Sequence, residues 1–385
     1  MKYKLSDICE YAKEKIKISA LDENTYISTK NMLPNKGGIK QATSLPVQEN
    51  TQAFMKNDVL VSNIRPYFKK IWFATFNGGC SNDVLVFRAK KGINSRFLHY
   101  VLANDSFFNY SMATSKGTKM PRGDKKAIMA YEVPKLSYGY QGKIAGILEI
   151  IDDKIELNNK INKNLEQQAQ AIFKAWFIDF EPFDEKIPAN WVVSKLGDIA
   201  SIKTNSFSPV KNPDAQLEHY SITAYDEQKY PVFESAEGVK SNKYILSKNS
   251  VMISKLNPDT KRAWRPMCLS DLAVSSTEFI IFEAFNPAYK DFVFSIIDSA
   301  AFSDWMCTHT TGSTNSRQRT TPSATLEFQI ALPDEKTITD FCAIVTPMYD
   351  TISANICENQ KLAQLRDSIL PKLMSGELDV SNIDL

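Results

Sequence analysis

Apolar residues recur in alternating steps of four and three along residues 142–177, which contain no proline. This spacing is typical of a coiled-coil seam and predicts a long helix. The same spacing returns from about Thr337, at an offset of 197 residues. The seam positions are Ile144, Leu148, Ile151, Ile155, Leu165, Ala169, Ile172 and Trp176, then Phe341, Val345, Met348, Ile352, Leu362, Ile369 and Leu373. Arg366 takes the place of Ala169 in the repeat, so we expect the second seam to fray there.

Two asparagines interrupt the middle of each predicted seam, Asn158 and Asn162 in the first and Asn355 and Asn359 in the second. A buried amide needs a hydrogen-bond partner, and asparagines at core positions of coiled coils fix register and orientation. If the two helices are antiparallel, their middles cross and the two pairs of asparagines come within reach of each other. The alternative is that each helix packs only on its own domain.

The end of the first long helix is crowded with aromatic residues, namely Phe173, Trp176, Phe177 and Phe180. The helix must stop soon afterwards because prolines follow at 182 and 188. The aromatic end therefore lies at a junction. It packs either against the start of the second long helix or against a partner protein.

The chain repeats itself over its whole length. "KLSDICEYAK" at residues 4–13 returns as "KLGDIASIK" at 195–203, and "VLVSNIRP" at 59–66 returns as "VMISKLNP" at 251–258. "CSNDVLVF" at 80–87 parallels "SSTEFIIF" at 275–282, and the loop "GTKMPR" at 117–122 aligns with "GSTNSR" at 312–317, which places Arg122 opposite Arg317. Offsets that creep from 191 to 197 indicate one duplicated unit. Short β-branched runs followed by helical spacing predict an α+β fold for each copy.

Composition narrows the class of protein. The chain has 385 residues, a net charge of +2, and 43% apolar residues, and it lacks a long apolar run or a secretory signal, so we expect a cytoplasmic protein. Its six cysteines form no CxxC pair, which argues against a disulfide framework or a zinc site. Positive charge clusters at residues 116–126 and 255–265. Most such runs are solvated loops, but nucleic-acid contact is the alternative.

Several segments resemble a known family. "NLEQQAQAIFKAWFIDFEPF" with "IPANWVVSKLGDIASIK", and "LAQLRDSILPKLMSGELDV" near the end, are similar to the conserved regions of type I restriction-modification specificity subunits. The resemblance implies two similar target-recognition domains separated by two long antiparallel helices, related by a pseudo-twofold repeat. The boundaries it implies are residues 1–141 and 191–336 for the two domains, and 142–190 and 337–385 for the central and distal conserved regions.

In that family each domain reads one half of a split site in double-stranded DNA, and the helices set the gap and dock two modification subunits. The resemblance implies a non-catalytic subunit without its own cofactor. S-adenosylmethionine, ATP and magnesium would belong to the modification and restriction subunits. The alternative is a coiled-coil scaffold that presents two protein-binding domains.

The candidate DNA-binding residues are basic and polar side chains and two glycine loops, chosen because cations neutralise phosphates and small residues let backbone N–H groups approach them. The first set is Arg65, Lys69, Lys70, Lys116, Gly117, Thr118, Lys119 and Arg122. The second set is Lys255, Asn257, Lys261, Arg262, Arg265, Gly312, Ser313, Asn315, Arg317 and Arg319.

Motifs for catalysis are weak in this sequence. No GxxxxGK[ST] is present, which argues against a phosphate-binding P-loop. "NPAY" at 286–289 lacks the glycine-rich turn of a methyltransferase and indicates a loop before a helix, and "PDEK" at 333–336 indicates a helix start. The three histidines, His99, His219 and His309, have no nearby nucleophile in sequence, although His309 could meet a phosphate beside the second glycine loop.

Overall fold

The computed structural model describes residues 2–311 and 318–383. The chain divides into two compact units, residues 1–155 with 360–385, and residues 156–359. The division passes through both long helices, so each unit contains an α+β lobe and one part of each helix. This division reflects packing and does not test the domain boundaries predicted at residues 141, 190 and 336, which stay predictions. No helix in the described ranges is both long and apolar enough to cross a membrane.

The first lobe begins with short strands and is followed by the first long helix, whose residues from 156 onward belong to the second unit. Its elements are β1 (Lys2–Lys4), α1 (Leu5–Ile8), β2 (Cys9–Tyr11), β3 (Lys15–Lys17), β4 (Tyr26–Ile27), β5 (Asn50–Phe54), β6 (Val59–Ser62), β7 (Ile71–Phe73), β8 (Gly78–Cys80), β9 (Val84–Ala89), α2 (Ser95–Ala103), α3 (Asp105–Ala113), α4 (Lys125–Met129), β10 (Glu132–Pro134) and α5 (Tyr138–Phe177). Strands β2, β9, β6 and β7 form an antiparallel sheet in that order, and β3, β5, β8 and β4 form a second sheet. β1 pairs with β10.

The second lobe repeats this order and is followed by the second long helix, whose residues from 360 onward belong to the first unit. Its elements are β11 (Val192–Lys195), β12 (Ala200–Lys203), β13 (Ser206–Phe207), β14 (Gln216–Tyr220), α6 (Ile222–Gln228), β15 (Val232–Ser235), β16 (Lys243–Ile245), β17 (Ser250–Ser254), β18 (Ala263–Trp264), β19 (Ala273–Ser276), β20 (Phe279–Ala284), α7 (Lys290–Ile297), α8 (Ala300–Thr308), β21 (Thr310–Thr311), β22 (Arg319–Thr320), α9 (Pro322–Thr325), β23 (Gln329–Leu332) and α10 (Glu335–Ser375). Short 3-10 turns lie at Ile18–Ala20, Pro66–Phe68, Glu181–Phe183, Leu196–Asp198, Pro209–Lys211, Ala236–Gly238 and Pro287–Tyr289.

The strand order confirms the internal repeat. The sheet β12-β20-β17-β18 has the same antiparallel order as β2-β9-β6-β7. The register is also the same, because Val59 lies opposite Phe87 in one sheet and Val251 lies opposite Phe282 in the other. Strands β6 and β17 are buried along their whole length, which agrees with the three consecutive apolar residues in each of them. The α+β fold class predicted for each copy is confirmed.

Helix caps account for a difference from the predicted helices. The segment after "NPAY" was expected to form one helix, but it is divided into α7 and α8. Ser299 lies between them, and its Oγ accepts a hydrogen bond from the Phe302 amide at 3.2 Å, which starts a new helix. Likewise Asp334 accepts from the Thr337 amide at 3.0 Å and caps the start of α10, as the "PDEK" pattern predicted.

Each unit has its own apolar core, in which a lobe packs on the long helices. In the first unit α2 and α3 contribute Leu98 and Phe107, and the helices contribute Leu148 from α5 and Leu373 from α10. In the second unit Phe282, Phe292 and Phe302 pack with Phe341 and Val345 of α10. Full burial of one such side chain stabilises the fold by about 1.5–3 kcal/mol, so the lobe and the helices of a unit depend on each other.

The asparagines of the two long helices meet inside the second unit. Asn158 is fully buried, and its Nδ2 donates to Asn359 Oδ1 at 2.9 Å and to Glu358 Oε2 at 2.7 Å. Asn355 Nδ2 donates to Asn162 Oδ1 at 2.8 Å. The earlier asparagine of α5 contacts the later asparagine of α10, and the later one of α5 contacts the earlier one of α10, so the two helices are antiparallel in this unit. The predicted contact between the two asparagine pairs is confirmed.

The expected fraying at Arg366 is wrong. Within the first unit the Arg366 side chain is 17% exposed, and its guanidinium donates to Asp152 Oδ1 of α5 at 2.7 Å. The other oxygen of Asp152 accepts from the Tyr100 hydroxyl at 2.8 Å. Burial is the largest single influence on the pKa of Arg366 and lowers it. The Asp152 and Asp367 carboxylates together outweigh burial, so the pKa is raised. Arginine is tolerated in this seam because a carboxylate on the facing helix neutralises it.

The aromatic end of α5 packs inside the second unit against α10. The Phe177 ring lies 4.9 Å from Phe341 and 5.0 Å from Phe292, measured between centroids. Trp176 lies 6.0 Å from Phe341, and Phe180 lies 5.9 Å from Trp191. The prediction of a junction core against the start of the second long helix is therefore confirmed. Docking of a partner at the exposed edge of this cluster stays a prediction.

Candidate nucleic-acid interface

In the first unit, a tight turn follows β6 and carries several of the predicted DNA-binding residues. Ser62 Oγ donates to the Ile64 carbonyl at 3.1 Å, and Arg65 adopts a left-handed conformation with φ of 50°. The 3-10 turn Pro66–Phe68 comes next, closed by the Phe68 amide donating to the Arg65 carbonyl at 3.0 Å. The Ser62 amide donates to the Lys70 carbonyl at 3.0 Å. We call residues 65–69 the first reading turn.

The glycine loop lies beside this turn and is joined to it through the backbone. Lys116 and Arg122 exchange two backbone hydrogen bonds of 2.9 Å, which close the loop. The Arg65 amide donates to the Pro121 carbonyl at 2.8 Å. Gly117 has φ of 91°, a conformation that favours glycine. Thr118 and Lys119 are exposed at its tip, so the loop and the turn present one continuous surface.

The second unit builds the same frame from different residues. Ser254 Oγ donates to the Leu256 carbonyl at 3.0 Å, and Asn257 is left-handed with φ of 48°. The Asn257 amide donates to the Gln318 carbonyl at 2.9 Å, and the Thr320 amide donates to the Lys255 carbonyl at 3.0 Å. The second reading turn is therefore residues 257–261, and it matches the first at an offset of 192.

The structure corrects the alignment of the two loops. The sequence placed Arg122 opposite Arg317, but Arg122 bridges Ile64 in the first unit and Arg319 bridges Leu256 in the second. Arg319 is therefore the counterpart of Arg122, at an offset of 197, because the second loop is two residues longer. Arg317 and the other predicted residues of that loop lie outside the described residues, namely Gly312, Ser313 and Asn315.

The two counterpart arginines each pair with a counterpart carboxylate. Arg122 lies 3.1 Å from Asp83, and Arg319 makes two hydrogen bonds of 2.9 and 3.0 Å to Glu278. The bond to Glu278 raises the pKa of Arg319. Both arginine side chains remain about half exposed, at 56% and 43%. Each guanidinium is thus held at the surface by an acid, in the same place in both units.

Other predicted cations are paired as well. Lys116 lies 2.6 Å from Asp124, and that bond lowers the pKa of Asp124 to about 2. Lys69 lies 2.7 Å from Asp105. Lys70 is half-buried, and its ammonium donates to the Thr29 carbonyl at 2.7 Å. Burial lowers the pKa of Lys70.

In the second unit, Lys261 lies 2.8 Å from Asp298 and Arg262 makes two hydrogen bonds to Asp226 at 2.7 and 3.0 Å. Lys255 is half-buried beside the turn. Lys261 and Arg262 thus lie near the turn, but their charges contact carboxylates of their own unit. Access to DNA would require those pairs to loosen.

Arg265 has a different place from the one predicted. Its side chain is 15% exposed and forms hydrogen bonds to Asp291 at 2.7 and 3.2 Å and to Asp350 of α10 at 2.9 Å. Asp291 is 3% exposed and also accepts from Thr346 at 2.7 Å. Arg265 thus fastens the second lobe to α10, and the proposed DNA surface leaves it out.

Two exposed aromatic residues were missed by the sequence reasoning. Tyr67 and Phe68 stand in the first reading turn with 48% and 38% of their surface exposed, and their rings lie 4.7 Å apart. The second turn has Asp259 and Thr260 at the same positions, both exposed. The available signal was the "RPYFKK" run, in which two aromatic residues stand between cations.

The three histidines each have local contacts among the described residues. His309 stacks on Trp305 at 4.1 Å, and its Nδ1 lies 2.9 Å from the Trp305 carbonyl. His219 lies 2.6 Å from Glu234, and desolvation lowers its pKa despite that neighbour. Burial likewise lowers the pKa of His99 to about 4. Within residues 2–311 and 318–383, no three histidine, cysteine or acidic side chains are grouped as ligands for a metal ion.

Comparisons with known proteins agree with this fold. Residues 1–167 match the type I restriction modification DNA specificity domain. The type I restriction enzyme MjaIX specificity subunit of Methanocaldococcus jannaschii is 27% identical over 345 residues, covering 80% of this chain and 74% of that protein. The HindI specificity subunit of Haemophilus influenzae is 32% identical over 198 residues, covering 49% of this chain and 42% of that protein.

A solved structure extends the likeness along the whole fold. The crystal structure of a type I restriction-modification system S subunit from M. genitalium covers 99% of this chain, which in turn covers 96% of it, with a TM-score of 0.59 and 16% identity. At that identity the match concerns the fold. In sequence and in fold, the chain is therefore similar to type I restriction-modification specificity subunits.

Proposed function

We propose that this chain is the DNA-recognition subunit of a type I restriction-modification complex, and that each lobe reads one half of a bipartite site. The observation that carries the proposal is the repeated frame of turn, loop and paired arginine. Two units that differ in most side chains keep the same backbone hydrogen bonds around Arg122 and Arg319. Two lobes that recognise different half-sites need the same backbone arrangement at the DNA and different side chains on it.

The proposed DNA surface combines phosphate contacts with base contacts. Arg65, Lys116, Lys119 and Arg122 of the first unit, and Arg319 with the polar residues of the second turn, provide cations and hydrogen-bonding groups beside exposed loop tips. Cations position a protein on the phosphates, and the side chains between them read base edges. The chain has a net charge of only +2, so the modification subunits supply much of the total attraction to DNA.

The antiparallel helices set the gap between the half-sites and dock two modification subunits in this proposal. The asparagine contacts in the second unit support it, because they fix the register of α5 against α10. The partly exposed aromatic end of α5 offers a docking surface. We also propose that the chain is non-catalytic, with S-adenosylmethionine, ATP and magnesium bound by the modification and restriction subunits.

The test uses the assembled complex. We expect the chain with its modification subunits to methylate DNA at a single bipartite motif, read by sequencing the methylated sites of a host that carries both. Methylation without this chain, or methylation of labelled DNA by this chain alone with S-adenosylmethionine, would refute the proposal. If the lobes bind proteins as a scaffold instead, a split-site duplex would compete no better than random DNA.

A further inference from the structure

The two reading turns share a backbone and differ in the chemistry of their tips. The Phe68 amide donates to the Arg65 carbonyl at 3.0 Å, and at the matching place the Thr260 amide donates to the Asn257 carbonyl at 2.9 Å. Pro66 and Pro258 are both buried at the base of the turn. The two tip positions that follow hold Tyr67 and Phe68 in one unit, and Asp259 and Thr260 in the other.

The first tip is apolar and points into water. Tyr67 and Phe68 are 48% and 38% exposed, and their ring centroids lie 4.7 Å apart. The turn is held on a second side too, because the Asn35 amide donates to the Phe68 carbonyl at 2.8 Å. Arg65 is exposed and precedes the rings, so this tip fits a negatively charged partner that offers an apolar point of contact. Base edges between phosphates have that character, and the thymine 5-methyl group is their apolar point.

The second tip carries an exposed acid. Asp259 is exposed and lies between Asn257 and Lys261. A carboxylate repels phosphates, so its place against DNA is at a base edge, where it accepts from the cytosine amino group. Thr260 offers a hydroxyl that can donate or accept.

Building on the proposed function, we propose that the reading turn is the base-contacting element of each lobe. Tyr67 and Phe68 contact the thymine methyl edge in the first half-site, and Asp259 with Thr260 forms hydrogen bonds to base edges in the second. The common frame sets the position of the tip, and the tip side chains determine the half-site sequence.

The experiment starts from the wild-type complex with its modification subunits, whose methylated motif is determined first. If no bipartite motif appears, the proposed function fails before any variant is made. The double variant Tyr67→Ala/Phe68→Ala is then compared with Asp259→Ala/Thr260→Ala as its matched control. We expect the first to lower discrimination at one or more base pairs of the first half-site by roughly ten-fold, and the second to act on the other half-site alone.

A second measurement tests the methyl contact directly. Duplexes with uracil in place of thymine in the first half-site should bind the wild-type complex several-fold more weakly, and should bind the Tyr67/Phe68 variant no more weakly than thymine duplexes. The inference would be overturned if the wild-type complex methylates a bipartite motif and both variants methylate the same two half-sites with unchanged discrimination. Equal weakening of all sequences would also overturn it. Melting temperatures of the variants check folding, and Tyr67→Ser alone repeats the test if the double variant melts early.

Discussion

Asn158 gives a direct test of how α5 and α10 are held in register in the second unit. The substitution Asn158→Ala removes the bond to the Glu358 carboxylate at 2.7 Å and the bond to Asn359 Oδ1 at 2.9 Å. A hydrogen bond to a charged group contributes about 1.5–3 kcal/mol net and a neutral one about 1 kcal/mol. Asn158 Oδ1 is buried without a partner among the described residues, and its removal returns about 1 kcal/mol. The expected net loss is about 2 kcal/mol.

Native-state hydrogen exchange is the suitable assay because it reports opening of one segment at a time. A loss of about 2 kcal/mol should speed the exchange of α5 amides near residue 158 by about 30-fold. Leu157→Ala is the matched control, since Leu157 lies on the same turn and is 52% exposed. Exchange rates that stay within about two-fold of wild type would refute the assignment of a register-fixing role to Asn158.

The pairing itself is measured by a double-mutant cycle with Asn359→Ala. If the two amides act together, the double variant should lose less stability than the sum of the single variants, with a coupling of about 1 kcal/mol. Asn359 also donates to Asn159 Oδ1 at 2.9 Å, so its single variant keeps a loss of its own. Strictly additive losses would show that the contact carries no free energy.

Three further predictions concern charges. Asp83→Asn and Glu278→Gln remove the carboxylates that pair with Arg122 and Arg319, so non-specific DNA binding should become tighter, and the slope of log K against log salt concentration should become steeper by up to about one per arginine. Binding titrations from 50 to 200 mM salt measure this slope, and uniformly weaker binding would show that the acids orient the arginines instead. Arg265→Ala leaves the buried Asp291 without its cation and should destabilise the second unit by about 3–5 kcal/mol in thermal unfolding, with the exposed Lys336→Ala as control. Burial lowers the pKa of His99 from 6.5 to about 4, so the unfolded chain binds the proton more readily, and the free energy of unfolding should fall by up to about 3 kcal/mol as pH drops from 6.5 to 4. Urea titrations of His99→Gln should lack this loss, and a pH profile of the variant equal to that of wild type would contradict the prediction.

The parts of the fold that periodicity controls were predictable. The seam residues of α5 and α10, the buried strands β6 and β17, and the meeting of the asparagines all follow from spacing and from the cost of burying an amide. The second helix contains Pro347 and Pro371, which sequence rules treat as helix breakers. It nevertheless runs from Glu335 to Ser375, because core packing on both sides of each proline outweighs the lost hydrogen bond.

The parts that depend on three-dimensional pairing were not predictable. Sequence alignment slipped by two residues at the second glycine loop, and only the backbone bridge to Leu256 identifies Arg319 as the counterpart of Arg122. Charge counting also placed Arg265 on the DNA surface, because a sequence does not show that Asp291 and Asp350 surround it. Exposure was the missing quantity at Tyr67 and Phe68, since an aromatic pair in a sequence suggests a core.

The longer loop of the second unit has a consequence for how such a chain can change. Its two extra residues are absorbed between β21 and β22, and the offset of 197 reached there continues unchanged to the asparagines of α10. An insertion within a lobe therefore leaves the facing of the helices intact. One residue inserted between Asn158 and Asn162 would instead rotate everything beyond it by about 100° around the helix axis and turn the amides away from each other. The two-residue difference between the loops is thus compatible with the asparagine contacts, whereas a one-residue change between Asn158 and Asn162 would remove them.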